Sequence, residues 1–225
     1  IEIDSSKLNA NHNFIFLSDV HLGSNPIQHF EKILNLINNC DYDFILIGGD
    51  LIDSSSFDIS KLEILKNIKK PIYFVTGNHE HYIADFSKKT SWLADYNITY
   101  LKNSKMLIDN INLIGINDNQ AIKKQSLIVK QLSNKDAFNL VLIHKPSVWN
   151  LIYDESDLML SGHTHNGQIF PFNIFVRLQF KYNYGLYNKN QSQLYVSSGA
   201  GCWGPRIRFG TNNEIIYFQL NTNNN

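Results

Sequence analysis

Short apolar runs recur along the first half of the chain, and each ends in polar residues or glycine. The runs cover residues 14–17, 44–47 and 72–75, which is the length of a buried strand. Apolar residues at helical spacing lie between them, at Phe30, Ile33, Leu34 and Ile37 and again at Leu62, Leu65 and Ile68. This alternation predicts a β-α-β-α-β unit whose strands are largely parallel and covered by helices.

The second half of the chain is richer in strand patterns. We expect strands at residues 98–101, 106–108, 111–114, 138–143, 158–160, 194–196 and 215–220. Asp109 and Asn110 separate two of these runs and predict a tight hairpin turn, and a helix is expected over residues 123–132. No internal repeat or low-complexity linker interrupts the pattern, so we expect a single domain over residues 1–225.

Composition narrows the class of protein. Hydrophobic residues make up 43% and charged residues 18%, as in ordinary soluble domains. The formal net charge of +0 predicts no dedicated nucleic-acid binding, although it does not exclude a nuclease. Cys40 and Cys202 cannot form a disulfide framework, which favours a reducing compartment.

No apolar run is long enough to span a bilayer, but the first residue is Ile1, so an upstream signal or anchor could have been removed. We therefore expect a cytoplasmic protein, either free or held at the inner face of the cytoplasmic membrane.

Side chains able to bind metal ions follow the predicted strands in a regular order. They are Asp19, His21, Asp50, Asn78, His79, Glu80, His144, His163 and His165. Ligands of α/β sheets bind beyond the carboxyl ends of strands, and carboxylate and imidazole groups hold divalent cations without thiolates. A single such Asp is usually a turn residue and a single His an ordinary surface or core residue, which is how we interpret His12, His29 and His81. The ordered combination instead predicts a metal site.

These motifs resemble the signature of the calcineurin-like metallophosphoesterases. The matching residues run from Asp19 to His165, as Asp19-x-His21, Gly49-Asp50, Gly77-Asn78-His79-Glu80, His144 and Gly162-His163-x-His165. The resemblance implies an α/β fold, a two-sheet β-sandwich flanked by helices in four layers, α/β/β/α. It implies that one metal ion is bound by Asp19, His21, Asp50 and His165. It places a second ion between Asp50, Asn78, His144 and His163, with Asp50 bridging the two.

The expected chemistry is hydrolysis of a phosphodiester or pyrophosphate bond by a hydroxide that the two ions share. One carboxylate can bridge two cations about 3.5–4 Å apart, and such ions lower the pKa of water and neutralise phosphoryl oxygens. The resemblance places His79 beside the leaving group, as general acid or charge stabiliser. Mixed nitrogen and oxygen ligands suit Mn²⁺, our first expectation, and also Fe²⁺ or Zn²⁺. Asp53 and Glu80 are candidates for support behind the ligands, or for capping of the segments that follow.

The C-terminal third resembles a bacterial subgroup of membrane-associated metallophosphoesterases. The similar runs are Gly115–Ile116–Asn117–Asp118, residues 162–169, residues 195–201 and residues 205–210, with Asn166 where the subgroup usually has glycine. No arginine follows Asp50 closely, which argues against a protein Ser/Thr phosphatase. The subgroup includes pyrophosphatases of UDP-2,3-diacylglucosamine in lipid A synthesis, so a nucleotide-linked lipid is one candidate substrate.

Two stretches bear on substrate and partner. Arg206 and Arg208 are candidates for gripping phosphate, or for ordinary surface pairing. The aromatic stretch from Phe170 to Tyr182, with Arg177 and Lys181, predicts either peripheral membrane contact or packing onto the domain.

Two other functions stay open: a phosphodiesterase of small cyclic or linear nucleotides, and a non-catalytic interaction scaffold. The complete set of ligand positions favours an enzyme over the scaffold.

Overall fold

One half of the molecule is a six-stranded, mostly parallel sheet. The computed structural model describes residues 1–84, 86, 90 and 92–223. Within them the sheet has the order β1-β12-β2-β3-β4-β5. Its strands are β1 (Glu2–Ser5), β2 (His12–Leu17), β3 (Phe44–Ile47), β4 (Ile72–Phe74), β5 (Ile98–Tyr100) and β12 (Ile216–Thr222). Parallel pairing of β2, β3, β4 and β5 brings their carboxyl ends to one edge, as the βαβ pattern predicts.

The other half is a second six-stranded sheet in the described residues, with the order β10-β11-β9-β8-β7-β6. Its strands are β6 (Ser104–Ile108), β7 (Ile111–Ile116), β8 (Phe138–Ile143), β9 (Leu158–Ser161), β10 (Gly185–Lys189) and β11 (Ser192–Val196). The predicted two-residue turn joins β6 to β7, with Asp109 at a φ of 48°. Strands β7, β8, β9 and β11 are parallel, so their carboxyl ends also share one edge.

Helices cover the outer faces of both sheets. The α-helices are α1 (Ile27–Ile37), α2 (Trp92–Asp95), α3 (Ile122–Leu132) and α4 (Phe172–Gln179). Short 3-10 helices are present at Ile59–Asn67, His79–Tyr82, Pro146–Leu151 and His165–Gly167. In the part of the chain that the structure describes, none of the helices has the length and apolar character needed to cross a bilayer.

The core lies in three layers that follow from the alternation of side chains along each strand. Phe14 and Phe16 of β2 point into the cluster between the sheets, where they join Leu142 of β8. Ile15 and Leu17 point the other way and pack beneath α1. A third cluster lies outside the second sheet, built on Ile143, Val129, Trp149 and their neighbours. The four-layer α/β/β/α fold expected from the sequence is confirmed.

Four of the described strands and α-helices were not predicted, namely β1, β10, α2 and α4. Strands β1 and β10 lie at the sheet edges and have no run of buried residues, so they lack a continuous apolar pattern. Helix α4 lies inside the aromatic stretch, whose apolar residues have no single buried stripe. The segment from Leu62 to Ile68, predicted as helical, is mostly a 3-10 helix rather than an α-helix.

Candidate metal centre

The side chains predicted to bind metal come from both sheets. Asp19 and His21 follow β2, Asp50 follows β3, and Asn78 follows β4. From the second sheet, His144 follows β8, and His163 and His165 follow β9. The loops of the two sheets are joined where the Asp19 carboxylate accepts from His163 N at 3.1 Å, and within the second sheet Gly162 N donates to His144 O. The predicted residues therefore converge at one edge of the sandwich.

The first cluster is Asp19, His21 and His165, all buried. The two Nε2 atoms of His21 and His165 lie 3.0 Å apart, and His165 Nε2 lies 3.4 Å from Asp19 Oδ1. Two imidazole nitrogens and a carboxylate oxygen at this separation form a donor set for one divalent cation.

The second cluster is centred on Asp50. Its Oδ2 lies 3.2 Å from His144 Nε2 and 3.9 Å from His21 Nε2, so one carboxylate oxygen faces both donor sets. His144 Nδ1 must donate its proton to Gly48 O, 2.8 Å away, because a carbonyl oxygen only accepts. That bond leaves the lone pair of Nε2 directed at the site. Asp50 thus lies where a bridging ligand would be.

Two buried polar atoms support the fit to a cation. Among the buried side-chain atoms that have no hydrogen-bond partner in the described residues is Asn78 Oδ1, and His144 Nε2 faces only the Asp50 carboxylate, 3.2 Å away. Buried polar atoms are nearly always paired, so an unpaired amide oxygen beside a carboxylate and an imidazole nitrogen indicates a place for a positive ligand. The His163 ring lies 5.1 Å from the His144 ring and lines the cavity described below. These residues fit a second divalent ion.

The charges of the site match what metal ligands require. Burial would raise the pKa of Asp50, but His144 and His21 outweigh it and the pKa lies below its usual value. Burial and the His144 charge lower the pKa of His163 to about 3, and burial lowers that of His165 to about 4. The pKa of His144 is raised to about 10, because Asp50 outweighs the effect of burial. A cation would therefore meet ionised carboxylates and the neutral imidazoles of His163 and His165, and would have to displace the proton that Asp50 stabilises on His144.

The backbone at the centre adopts an uncommon conformation. Asp19, His21, Asp50, His163 and His165 have φ values of 55°, 52°, 52°, 76° and 51°. The left-handed region costs a non-glycine residue about 1 kcal/mol or more, and such residues concentrate at functional sites. The loops therefore hold these side chains inward at the expense of local stability.

Two motif glycines owe their identity to close packing against ligands. A Cβ on Gly77 would lie 2.1 Å from Asp50 Oδ1, and one on Gly162 would lie 2.1 Å from Asp19 Oδ2. No side chain fits at either position without moving a carboxylate. This explains why glycine precedes Asn78 and His163 in the sequence motifs.

Asp53 and Glu80 lie behind the ligands. Asp53 Oδ2 lies 3.3 Å from His21 Nδ1, where it orients the ring. Glu80 accepts backbone N–H bonds from Asp50 and Ile52 at 3.0 Å and from Gly77 at 2.7 Å. Burial and the Asp50 charge raise the pKa of Glu80 to about 7. Glu80 thus joins the loops after β3 and β4.

His79 lies at the margin of the centre. Its Nε2 is 4.0 Å from Asp50 Oδ2, and its backbone N–H donates to Asp50 Oδ1 at 2.8 Å. The side chain also lines the cavity. Burial lowers the pKa of His79, so its imidazole is mostly neutral at pH 7. His79, His21 and Asp50 are also close enough to share an ion, so ligation and leaving-group assistance are both geometrically open.

The two candidate arginines have different surroundings. Arg208 donates to the carbonyl oxygens of His165 at 3.0 Å, Ser198 at 2.5 Å and Gly201 at 2.8 Å. Its guanidinium therefore joins the loop carrying His165 to the loop after β11. Arg206 is exposed. Phosphate gripping stays a prediction for both, and the bonds of Arg208 favour a positioning role for it.

A cavity of about 530 Å³ opens directly from the metal centre. Asp50, Asn78, His79 and His163 contribute its polar side. The rest of the lining is mostly apolar and includes Tyr82, Ile169, Phe172, Val176, Phe180 and Trp203. Gln168, which donates to Trp203 O at 2.9 Å and accepts from Trp203 N at 2.8 Å, holds this wall in place. Sequence reasoning missed Tyr82, Gln168 and Trp203, although Gln168 lies inside the run that begins at Gly162.

Comparisons with known proteins agree with this architecture. The sequence model of the calcineurin-like phosphoesterase family matches residues 12–167. A Helicobacter pylori protein named uncharacterized metallophosphoesterase is 38% identical over 226 residues, covering 95% of this chain and 61% of that protein. A Danio rerio protein named transmembrane protein with metallophosphoesterase domain is 31% identical, covering 98% of this chain and 56% of its own length. The chain thus spans roughly three fifths of these relatives.

A solved structure shows the same fold. The crystal structure of TT1561 of Thermus thermophilus superposes with a TM-score of 0.55 at 13% identity, covering 84% of this chain and 89% of that one. At this identity the likeness concerns the fold alone. The family match, however, spans every strand-end motif from Asp19 to His165. The chain belongs to the calcineurin-like phosphoesterase family.

Proposed function

We propose that this chain is a metal-dependent hydrolase of a phosphodiester or pyrophosphate bond in a substrate that also carries an apolar group. The observation that carries the proposal is the cavity, whose lining combines the predicted ligand residues with an apolar wall. Divalent ions, when bound, polarise phosphoryl oxygens and make water acidic enough to supply hydroxide near neutral pH. Asp19, His21, Asp50, Asn78, His144, His163 and His165 would hold two such ions, Mn²⁺ being the first to test.

The protein groups around the ligands have separate tasks. Asp50 presents Oδ2 to both donor sets, which fixes their separation. His79 lies on the cavity side and, as a neutral imidazole, donates a hydrogen bond to the departing oxygen. Phe172, Val176 and Phe180 form part of the apolar wall and receive the apolar group of the substrate. An apolar wall of this kind would add nothing to the binding of inorganic phosphate or of fully polar phosphate esters.

UDP-2,3-diacylglucosamine is the specific substrate that we propose to test first. It combines a pyrophosphate with acyl chains, which matches the two sides of the cavity. Purified chain with Mn²⁺ should release UMP from it, with Asp50→Asn as the blank and a bis-aryl phosphodiester as the reference substrate. Trp203→Ala should raise the KM for the lipid substrate much more than the KM for the reference, because Trp203 belongs to the apolar wall.

The outcomes separate substrate from chemistry. UMP release well above the blank supports the lipid-linked pyrophosphate. Cleavage of the reference diester alone supports phosphoesterase activity and rejects this lipid as the substrate. Small cyclic and linear nucleotides then become the next substrates to test. No turnover of any of these esters with Mn²⁺, Fe²⁺ or Zn²⁺ would contradict the proposed function.

A further inference from the structure

Helix α4 presents apolar side chains to solvent. Its inward face is formed by Asn173 and Val176, which are buried. Ile174, Phe175 and Leu178 lie on the opposite face, with 49%, 64% and 80% of their surfaces exposed. A surface helix normally turns polar residues outward, so this helix has a second apolar face that the rest of the described chain does not cover.

A neighbouring segment extends this apolar face. Ile207 and Phe209 are 62% and 63% exposed, and Phe170, just before α4, is 51% exposed. The Phe170 and Phe209 rings are in edge contact, 6.3 Å apart, and Phe170 N–H donates to Phe209 O at 2.8 Å. We call the resulting surface the apolar rim and define it as Phe170, Ile174, Phe175, Leu178, Ile207 and Phe209. Exposed apolar surfaces formed by several large side chains mark binding sites for apolar partners.

The stretch of sequence that carries the apolar rim has charges of one sign. Residues 158–213 contain Arg177, Lys181, Lys189, Arg206 and Arg208 but no Asp or Glu, in a chain of net charge +0. Arg177, Lys181 and Arg206 are exposed. Apolar side chains flanked by cations are the combination that binds the interface of an anionic bilayer, because the rings and aliphatic groups enter the acyl region while the cations contact headgroup phosphates.

The rim also lies at the entrance of the cavity. Phe172 of α4 and Trp203, which are 57% and 54% exposed, both line the cavity that leads to the metal centre. They lie beside the rim in sequence and connect the two surfaces. A bilayer held against the rim would therefore lie next to the opening.

From these observations we propose that the apolar rim docks this domain onto an anionic membrane surface, with the cavity opening at the lipid interface. The docking itself needs no catalysis. Only its consequence, that substrates enter from the membrane, rests on the proposed function.

The test is co-sedimentation of the full chain with vesicles, without metal or substrate. The chain should sediment with vesicles of phosphatidylglycerol and phosphatidylcholine, and much less with phosphatidylcholine alone or at high salt. Phe175→Ser with Leu178→Ser should weaken binding about a hundredfold, since one buried side chain of this size contributes about tenfold in affinity. Neither residue lines the cavity, so hydrolysis of the bis-aryl diester by this variant should equal that of the parent.

The matched control is Leu36→Ser with Leu107→Ser. These leucines are 59% and 65% exposed and lie in α1 and β6, away from the rim. The control should bind vesicles like the parent, and circular dichroism and unfolding midpoints should show that both variants fold. The proposal is overturned if the parent stays in the supernatant with anionic vesicles, or if the rim variant sediments equally well. It is also overturned if the parent forms a dimer that the rim substitutions dissociate, because the rim would then be covered by a second copy.

Discussion

At the scale of residues, the centre depends on side chains held by a backbone that most residues avoid. The five left-handed residues, Asp19, His21, Asp50, His163 and His165, are all aspartate or histidine, which tolerate that region better than bulkier residues. Replacing one of these side chains removes a metal ligand but leaves the left-handed backbone conformation unchanged. We therefore expect such a variant to lose metal binding while it keeps its fold.

Asp50→Asn tests the bridging position. The amide keeps the shape of the side chain but loses the charge, so the two donor sets no longer share an anion. We expect bound metal to fall below two ions per chain, and activity to fall by more than the roughly 10–100-fold typical of residues that only support ligands. Atomic absorption and turnover of the bis-aryl diester measure both. Asp41→Asn, an exposed position, is the control; two bound ions and normal turnover in Asp50→Asn would contradict the bridging role.

His79→Ala distinguishes the two positions that the geometry leaves open for this residue. If His79 acts on the leaving group, turnover should fall by about 10²–10⁴-fold while the metal content stays at the parent value. The loss should be greatest for esters with poor leaving groups, because these need the most assistance. A fall in metal content to one ion per chain would instead make His79 a ligand, as its distance from His21 and Asp50 permits.

At the scale of elements, the loops at the carboxyl ends of the strands are joined to one another rather than free. Glu80 joins the loops after β3 and β4 through three backbone N–H groups. Arg208 does the same on the other side, joining three carbonyl oxygens from the loops after β9 and β11. The buried Glu80 therefore holds together the loops of the first sheet, and the half-buried Arg208 holds together those of the second.

Arg208→Gln should destabilise the chain, while Arg206→Gln should not. Glutamine is too short to replace three bonds, and each unsatisfied carbonyl oxygen costs about 1–3 kcal/mol. We expect the free energy of unfolding in urea to fall by about 2–4 kcal/mol for Arg208→Gln, and by less than about 0.5 kcal/mol for the exposed Arg206. Equal stabilities for the two variants would show that the bonds of Arg208 contribute little.

The sequence predicts central elements better than peripheral ones, for physical reasons. Strands such as β3 and β8 are buried on both faces, so their apolar runs are continuous and easily recognised. The edge strands β1 and β10 have no such run. The order of Asp and His after strands predicts that their loops converge, because the carboxyl ends of parallel strands lie at one edge of a sheet. Which residues share each ion was implied only by the resemblance to the family and stays a prediction. The bonds of Arg208 and the apolar wall at Trp203 depend on contacts distant in sequence, which no local pattern encodes.

At the scale of the whole molecule, the centre lies across the junction of the two sheets. Asp19, Asp50 and Asn78 belong to the first sheet, and His144, His163 and His165 to the second. An ion shared by these donors would therefore connect two sheets that are otherwise held by the apolar cluster between them. Separation of the sheets would require release of the ion.

Removal of metal should lower thermal stability. A ligand that binds only the folded state stabilises it by about 2.7 kcal/mol when its concentration is a hundred times its Kd. The Tm measured in EDTA should therefore lie several degrees below that in Mn²⁺, a shift typical for a domain of this size. Asp50→Asn should show a much smaller difference between the two conditions. Identical Tm values for the parent in EDTA and Mn²⁺ would contradict a centre that joins the sheets.

Because the predicted metal ligands come from two sheets, their positions also bear on when the centre forms during folding. Because the donors between Asp19 and His165 come from both sheets, we expect the centre to be completed late in folding, when the long-range contacts are already in place. Interactions that are absent from the folding transition state change the rate of unfolding and leave the rate of folding nearly unchanged. Bound metal should thus lengthen the lifetime of the folded chain against proteolysis without helping a newly made chain to fold.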